Sequence, residues 1–340
     1  MARTEKRMDG RTVFISGGSR GIGLAIAKAC AARGANVAIA AKTAEPHPKL
    51  PGTIHTAAEE IEKAGGQALP VLCDIREEEQ VQAAVEETVS KFGGIDAVVN
   101  NASAISLTST ESTELKRFDL MMDVNARGTF VVTKSCVPHL LKSEHVPHIL
   151  TLSPPLDIRR KWFQNHPAYS LAKFGMSLLS LGWAGEFKGR IAVNCLWPRT
   201  TIDTAAVRNL LGGEKMAAAS RKPEIMGDAA VAMLGKGLDF TGNFCLDDLV
   251  LHSDGVSDFR RYAVTPGAKL QEDFFVPDEA PEPEKSYGMV GWREPVLHRE
   301  RSRTVGETWG KGLRAPAMSN VPPVGGRRTM AERRDAEAAG

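Results

Sequence analysis

The feature that most constrains this chain is the stretch Ser16-Gly17-Gly18-Ser19-Arg20-Gly21-Ile22-Gly23. It follows a short β-branched and aromatic run, Val13-Phe14-Ile15, and opens an alanine-rich helical stretch from Leu24 to Arg33. A strand that stops at clustered glycines and re-emerges as a helix aims free backbone N–H groups at one point. The partial positive charge of the helix N-terminus suits that point to a phosphate or pyrophosphate. Glycine is needed where the backbone takes left-handed angles or touches a ligand, because a Cβ would clash. Gly17, Gly18, Ser19, Arg20, Gly21, Ile22 and Gly23 are therefore candidate cofactor-binding residues.

Short apolar runs alternate with longer helical patterns from the start to about residue 250. Strands are expected at 12–15, 36–41, 68–73, 97–100, 148–152, 191–196 and 240–246. Helices are expected at 21–33, 53–64, 77–92, 115–141, 169–187 and 228–236. Runs that are nearly continuous in Val, Ile and Leu belong to strands buried on both faces, as in parallel sheets. Their alternation with helices requires right-handed crossovers. The fold class is α/β: a single Rossmann-type, doubly wound parallel sheet with helices on both faces. Residues 1–265 form the expected NADP-binding domain. After residue 265 prolines sit among acidic residues, arginines follow and apolar periodicity is lost, so 266–340 reads as an extended or disordered tail.

A formal net charge of +2 over 340 residues gives no reason to expect nucleic acid or anionic membrane as a partner. No apolar run approaches the ~20 residues of a membrane span. The five cysteines lie far apart and read as small buried residues of a reducing compartment. No metal site is expected. The first ten residues have no apolar core and the last three are not a peroxisomal signal, so a cytoplasmic protein is expected.

A sheet of this kind binds dinucleotides at the carboxyl ends of its strands. Past the second strand stands Lys42, where an NAD enzyme would carry an acid for the ribose hydroxyls. Lys42 and Arg20 together suit a 2′-phosphate, so NADP is the expected cofactor. Asp74, past the third strand, is either an acceptor for the adenine amino group or the N-cap of the next helix. Asn101 stands in a polar run, 100–103, past the fourth strand. Tyr169 and Lys173 are four apart at the start of a helix and share one face. An ammonium near a phenol favours phenolate and lowers a pKa that begins at ~10. Tyr169 is the only tyrosine within the alternating β/α pattern.

These residues in this order resemble the short-chain dehydrogenase/reductase family. The matching features are Gly17-x-x-x-Gly21-x-Gly23, Asn100-Asn101-Ala102, Asn125 in Val124-Asn125-Ala126, and Tyr169-x-x-x-Lys173. The resemblance implies hydride transfer between NADP(H) and a carbonyl or alcohol, with Tyr169, Lys173 and Asn125 as catalytic residues. Tyr169 would exchange the proton, Lys173 would lower its pKa and hold the nicotinamide ribose, and Asn125 would anchor a relaying water. A homo-oligomer is a family-level expectation.

The Pro-rich insert at 42–53 and Ser153-Pro154-Pro155-Leu156 resemble one group within the family. Its animal members carry a lipid-binding domain after the dehydrogenase domain, and residues after 265 are expected to be too short and irregular for one. A hydrophobic, lipid-like small molecule is the implied substrate, with Trp162, Phe163 and Trp197 lining an apolar pocket or packing in the core. Two positions depart from the family. Its substrate-holding serine aligns with Pro154, leaving Ser153 one residue early and turned away, and its Pro-Gly is Pro198-Arg199. The displaced serine leaves open an NADP(H)-binding regulatory or structural protein with little turnover.

Overall fold

The computed structural model describes residues 8–46, 50–286 and 291–292. Seven parallel strands form its centre: β1 (Thr12–Ser16), β2 (Asn36–Ala41), β3 (Gln67–Leu72), β4 (Ala97–Asn100), β5 (His148–Thr151), β6 (Ala192–Trp197) and β7 (Asn243–Leu246). They lie in the order β3-β2-β1-β4-β5-β6-β7, and β8 (Gly291–Trp292) adds an antiparallel edge beside β7. The order reverses between β1 and β4, which is where such sheets open a crevice for ligands.

Nine α-helices connect these strands among the described residues: α1 (Gly21–Ala31), α2 (Ile54–Lys63), α3 (Glu78–Phe92), α4 (Leu115–Met121), α5 (Thr129–Leu140), α6 (Pro167–Glu186), α7 (Gly213–Ala218), α8 (Glu224–Leu234) and α9 (Asp247–Ser253). Alternation along the strands divides the core into two layers. Val13, Ile15, Val37 and Ile39 pack with Ile26 and Cys30 of α1 and Met226 and Ala230 of α8. Phe14, Ala38 and Ala40 face the other way, toward Val81 and Val85 of α3 and Val132 and Cys136 of α5. On the first face α1 and α8 approach closely. A Cβ on Gly227 would lie 2.6 Å from the Ala25 carbonyl oxygen. All five cysteines are buried free thiols.

The seven expected strands and the doubly wound arrangement are present, β2 and β4 with the expected bounds and the others with one or both ends shifted by one to three residues. The helix expected at 115–141 is interrupted by a π-helical turn, Met122–Gly128, between α4 and α5. Its apolar pattern runs straight through, so the sequence carries no stop there. A second π-helical turn, Val207–Leu211, and α7 fill a stretch with no clear period. No helix among the described residues is long and apolar enough to cross a membrane.

After residue 265 the described chain is irregular, and residues 268–286 run as an extended strap bound across the end of β6. The Thr201 N–H donates to the Gln271 carbonyl (2.9 Å) and the Asp273 N–H to the Arg199 carbonyl (2.9 Å). Trp197 Nε1 donates to the Phe274 carbonyl (2.6 Å) and Arg199 Nη2 to the Pro281 carbonyl (2.7 Å). Phe275 is fully buried, and its ring meets Trp162, Tyr169, Phe174 and Trp197. The strap is held by backbone bonds, by side chains of distant elements and by one aromatic plug, none of which leaves a periodic signature. The arginine-rich end and residues 47–49 of the insert lie outside the described residues.

Phe275→Ala should cost about 3–5 kcal/mol of stability in a denaturant titration, as expected when a buried aromatic is truncated. A loss below about 1 kcal/mol, the range of exposed positions, would show that the strap is not part of the core.

Candidate active site

The glycine turn is braced from below by β4. Gly17 has φ +72°, and a Cβ there would fall 2.8 Å from Ala102 Cα. A Cβ on Gly23 would lie 2.5 Å from both Asn101 Nδ2 and the Gly17 carbonyl oxygen. That close approach lets Asn101 Nδ2 donate to the carbonyls of Ser16 (3.1 Å) and Gly17 (2.9 Å). The Ser16 hydroxyl accepts from the N–H groups of Asn101 and Ala102, each at 3.2 Å. Ser16 was outside the expected site, although its place directly before the glycines is a signal for such a role.

No side chain caps α1, and its first turn carries no acid. Its orphan N–H groups and dipole therefore face outward without an internal counter-charge. Arg20 donates from Nη2 to the Gly52 carbonyl at 3.0 Å, while its Nε is buried with no partner. Ser19 is buried beside them and Ile22 leans on the core. An uncapped helix start and a cradle that a Cβ would fill fit the pyrophosphate of a dinucleotide, and the orphaned Arg20 nitrogen beside them suits a further anion.

Lys42 Nζ stands 3.4 Å from Asp74 Oδ2. Asp74 also receives Arg76 through Nε (3.0 Å to Oδ1) and Nη2 (2.6 Å to Oδ2). These bonds, Arg76 first, hold the Asp74 carboxyl down at about 2. The cap of α3 is Glu77, with no side-chain bond, so Asp74 is not an N-cap. The spacing Asp74-x-Arg76 could have flagged the fork between them.

Asn125 is fully buried in the π-helical turn. Its Oδ1 accepts from the Ala104 N–H (2.7 Å) and its Nδ2 donates to the Ala104 carbonyl (3.0 Å). The side chain thus pins the loop that leaves β4, and π-helical turns of this kind are frequent at functional sites.

Tyr169 and Lys173 occupy the first turns of α6, and both are buried. Lys173 is only 3% exposed. Its Nζ donates to the Leu152 carbonyl at 2.6 Å and lies 5.1 Å above the Trp197 ring. Burial pushes its ammonium down to about 7. Burial also pushes the Tyr169 phenol upward, and the Asp273 carboxylate adds to the rise. The lowered phenol expected from spacing alone is therefore corrected for this state. Removing phenolate from water outweighs a lysine whose own charge is weakened and directed at a carbonyl.

Ser153 is fully buried, and its hydroxyl has no hydrogen-bond partner. Pro154 turns its carbonyl to the Ser177 hydroxyl (2.7 Å). Where the family places glycine, Arg199 donates from its backbone to Asp247 Oδ1 (2.9 Å) and from Nε to Asp248 Oδ2 (2.6 Å). Trp162 and Trp197 pack on Phe275, and Phe163 packs on Phe174 with ring centroids 4.8 Å apart. Among the described residues no group of three or more His, Cys, Asp or Glu side chains could hold a metal ion.

The family model described as short chain dehydrogenase matches residues 11–214. The chain belongs to that family. It is similar to hydroxysteroid dehydrogenase-like protein 2 of Xenopus laevis, at 57% identity over 276 residues. That match covers 81% of this chain and 66% of the relative, so the chain spans about two thirds of the relative's length. A crystal structure of a short chain dehydrogenase from Mycobacterium thermoresistibile is 57% identical with a TM-score of 0.76, covering 80% of this chain and 97% of that one. Both nicotinamide cofactors occur in structures of this fold. A 3-oxoacyl-[acyl-carrier protein] reductase from Brucella melitensis holds NAD (26% identity, TM-score 0.56, 66% of this chain and 90% of that one). A metagenomic short-chain oxidoreductase holds NADP (21% identity, TM-score 0.56, 69% and 94%). Membership of the short chain dehydrogenase family supports an oxidoreductase whose fold binds a nicotinamide cofactor.

Asn125→Ala would leave both polar groups of Ala104 without their partner. It should cost about 1–3 kcal/mol in chemical denaturation, the penalty for unpaired buried groups. Hydrogen exchange should quicken at Ala104; unchanged protection there would show that Asn125 does not hold this loop.

Proposed function

We propose that the protein is an NADP-dependent oxidoreductase acting on a hydrophobic, lipid-like carbonyl or alcohol, with Tyr169 as proton donor and acceptor. The observation that carries this reading is the burial of Tyr169 and Lys173 together on α6, beside the carboxyl end of β5 and under an aromatic cover. A phenol that burial keeps protonated suits donation to a carbonyl oxygen. The dinucleotide, when bound, supplies hydride transfer. Lys173 holds the nicotinamide ribose and steadies the negative charge that Tyr169 gains as it gives up its proton. Asn125 orders the loop after β4, and Asn101 with Gly17, Gly18, Ser19, Gly21, Ile22 and Gly23 forms the pyrophosphate cradle. The lipid-like substrate is inferred from the kinship with the hydroxysteroid dehydrogenase-like relative and from the apolar surroundings of Tyr169.

NADP is favoured over NAD because the residue directly after β2 is Lys42 rather than an acid, and Arg20 and Lys42 are both available for a 2′-phosphate. Lys42 is 57% exposed and held by a single long ion pair, so reorienting it costs little. Charge-assisted contacts of this kind are worth about 1.5–3 kcal/mol each. NADP(H) should therefore bind at least about tenfold more tightly than NAD(H) in a fluorescence titration. Lys42→Ala should narrow that ratio, and equal affinities in the unaltered protein would overturn the assignment.

A second reading, an NADP(H)-binding regulatory protein with little turnover, is favoured by Ser153, which is fully buried one residue before the position of the family's serine. Steady-state kinetics over a panel of ketones separates the two. Tyr169→Phe should retain cofactor affinity and lose about 10²-fold or more in turnover, while Ser153→Ala should change it far less. Turnover that survives Tyr169→Phe would end the proton-transfer reading, and absence of turnover on every ketone would favour the second one.

A further inference from the structure

His166 stands directly before α6, three residues ahead of Tyr169. That spacing brings two side chains together across one turn. The imidazole is buried and meets Tyr169 edge-on, with ring centroids 6.0 Å apart and planes at 72°. Two rings of the strap close round it, Phe274 at 5.4 Å and Phe275 at 6.0 Å. Phe274 is itself 40% exposed, so the enclosure borders solvent.

The hydrogen bonds decide which ring nitrogen carries the proton. His166 Nδ1 lies 3.0 Å from the Ser170 hydroxyl, and that hydroxyl donates to the Trp162 carbonyl at 2.5 Å. A serine has one proton to give. Ser170 gives it to Trp162, so Nδ1–H is the donor to Ser170. Burial holds the imidazole below the ordinary histidine range, so the ring is neutral near pH 7. Nε2 is then a bare acceptor. Among the described residues neither this nitrogen nor the Tyr169 hydroxyl has a hydrogen-bond partner, and neither atom is sealed inside the fold. Holding Ser170 requires only Nδ1, and an asparagine amide could do as much. What an imidazole adds is the second nitrogen, which serves no group of the protein.

We propose that His166 recognises the substrate, its Nε2 accepting a hydrogen bond from a substrate hydroxyl while the Tyr169 hydroxyl donates to the carbonyl. The substrate class is then an apolar carbonyl compound with a hydroxyl a few bonds from the reacting carbon, a span set by two rings in contact. The proposal rests on the reading of Tyr169 as proton donor and narrows the substrate inferred with it. One free donor and one free acceptor, side by side under an aromatic cover, complement a ligand that carries the opposite pair. The surrounding rings of Phe274 and Phe275 lower the local dielectric and strengthen both bonds.

The test uses 2-decanone and three relatives with a hydroxyl on the first, third or fourth carbon. In steady-state reduction by the full chain, at least one hydroxylated ketone should exceed 2-decanone in kcat/KM by about fivefold or more, the worth of one added hydrogen bond. His166→Asn keeps a donor for Ser170 but has no atom at the place of Nε2, and should bring that ratio close to one. His166→Gln places an acceptor there and should keep most of it. A ratio unchanged in His166→Asn, or no preference for any hydroxylated ketone in the unaltered protein, overturns the proposal. A second readout needs no turnover: the nitrogen-15 resonances of His166 in histidine-labelled protein with NADP⁺, assigned by their loss in either variant. They should show a protonated Nδ1 and a bare Nε2, and the Nε2 signal should move further with the preferred hydroxylated ketone than with 2-decanone. A proton on Nε2, or no such difference with any of the three, overturns the proposal. If no ketone is reduced at all, the oxidoreductase reading fails, and the resonance still decides whether His166 binds the hydroxyl.

Discussion

A buried ammonium holds the two halves of this site together. Lys173 gives up most of its hydration to lie inside the fold, and a charge so placed must find a strong acceptor. It finds the carbonyl of Leu152, one residue past the end of β5. That bond fixes α6 against the sheet and thereby fixes Tyr169 one turn earlier. The parallel sheet does the rest: β1, β4, β5 and β6 all end at the same edge, so Gly17, Asn101, Leu152 and Trp197 share one crevice without long connections.

The two sides of the crevice are stabilised differently. On the β1–β4 side the bracing is neutral, with Ser16 and Asn101 tying the exits of the two strands. On the β6 side it is ionic. Asp247 and Asp248, both fully buried, meet Arg199 and Arg221 and so anchor the loop after β6. Arg159 reaches Asp278 (3.1 Å) and Glu279 (3.0 Å) and fastens the far end of the strap. Buried ion pairs add little net stability once desolvation is counted, but losing one partner is costly. Such a cluster suits a wall that must sit in one place.

The sheet, its order of elements and the glycine turn were legible because strands buried on both faces and helices leave strong, separate periods. The spacing of Tyr169 and Lys173 was legible for the same reason. What could not be read were features made by contact across distance. The π-helical turn around Asn125 has no composition of its own. The pairing of Asp74 with Arg76 needed a rotamer as well as a spacing. The direction of the Tyr169 shift depended on how deeply α6 is covered. How residues 268–286 pack could not be read because a Pro-rich, acidic stretch looks alike whether it floats or is pinned, and its pins, Phe275 and the contacts of Trp197, Arg199 and Arg159, come from distant residues.

The contact between Arg20 and the Gly52 carbonyl has an evolutionary consequence. Gly52 belongs to the insert, and a Cβ there would lie 2.8 Å from the Ser19 carbonyl oxygen. Insert and glycine turn are therefore one unit in space although thirty-odd residues separate them in sequence. A chimera that took the turn from this protein and the loop after β2 from a relative with a shorter loop would inherit Arg20 without its carbonyl. The two segments must diverge in concert, and recombination between them would be disfavoured more strongly than either segment's own tolerance to point changes suggests.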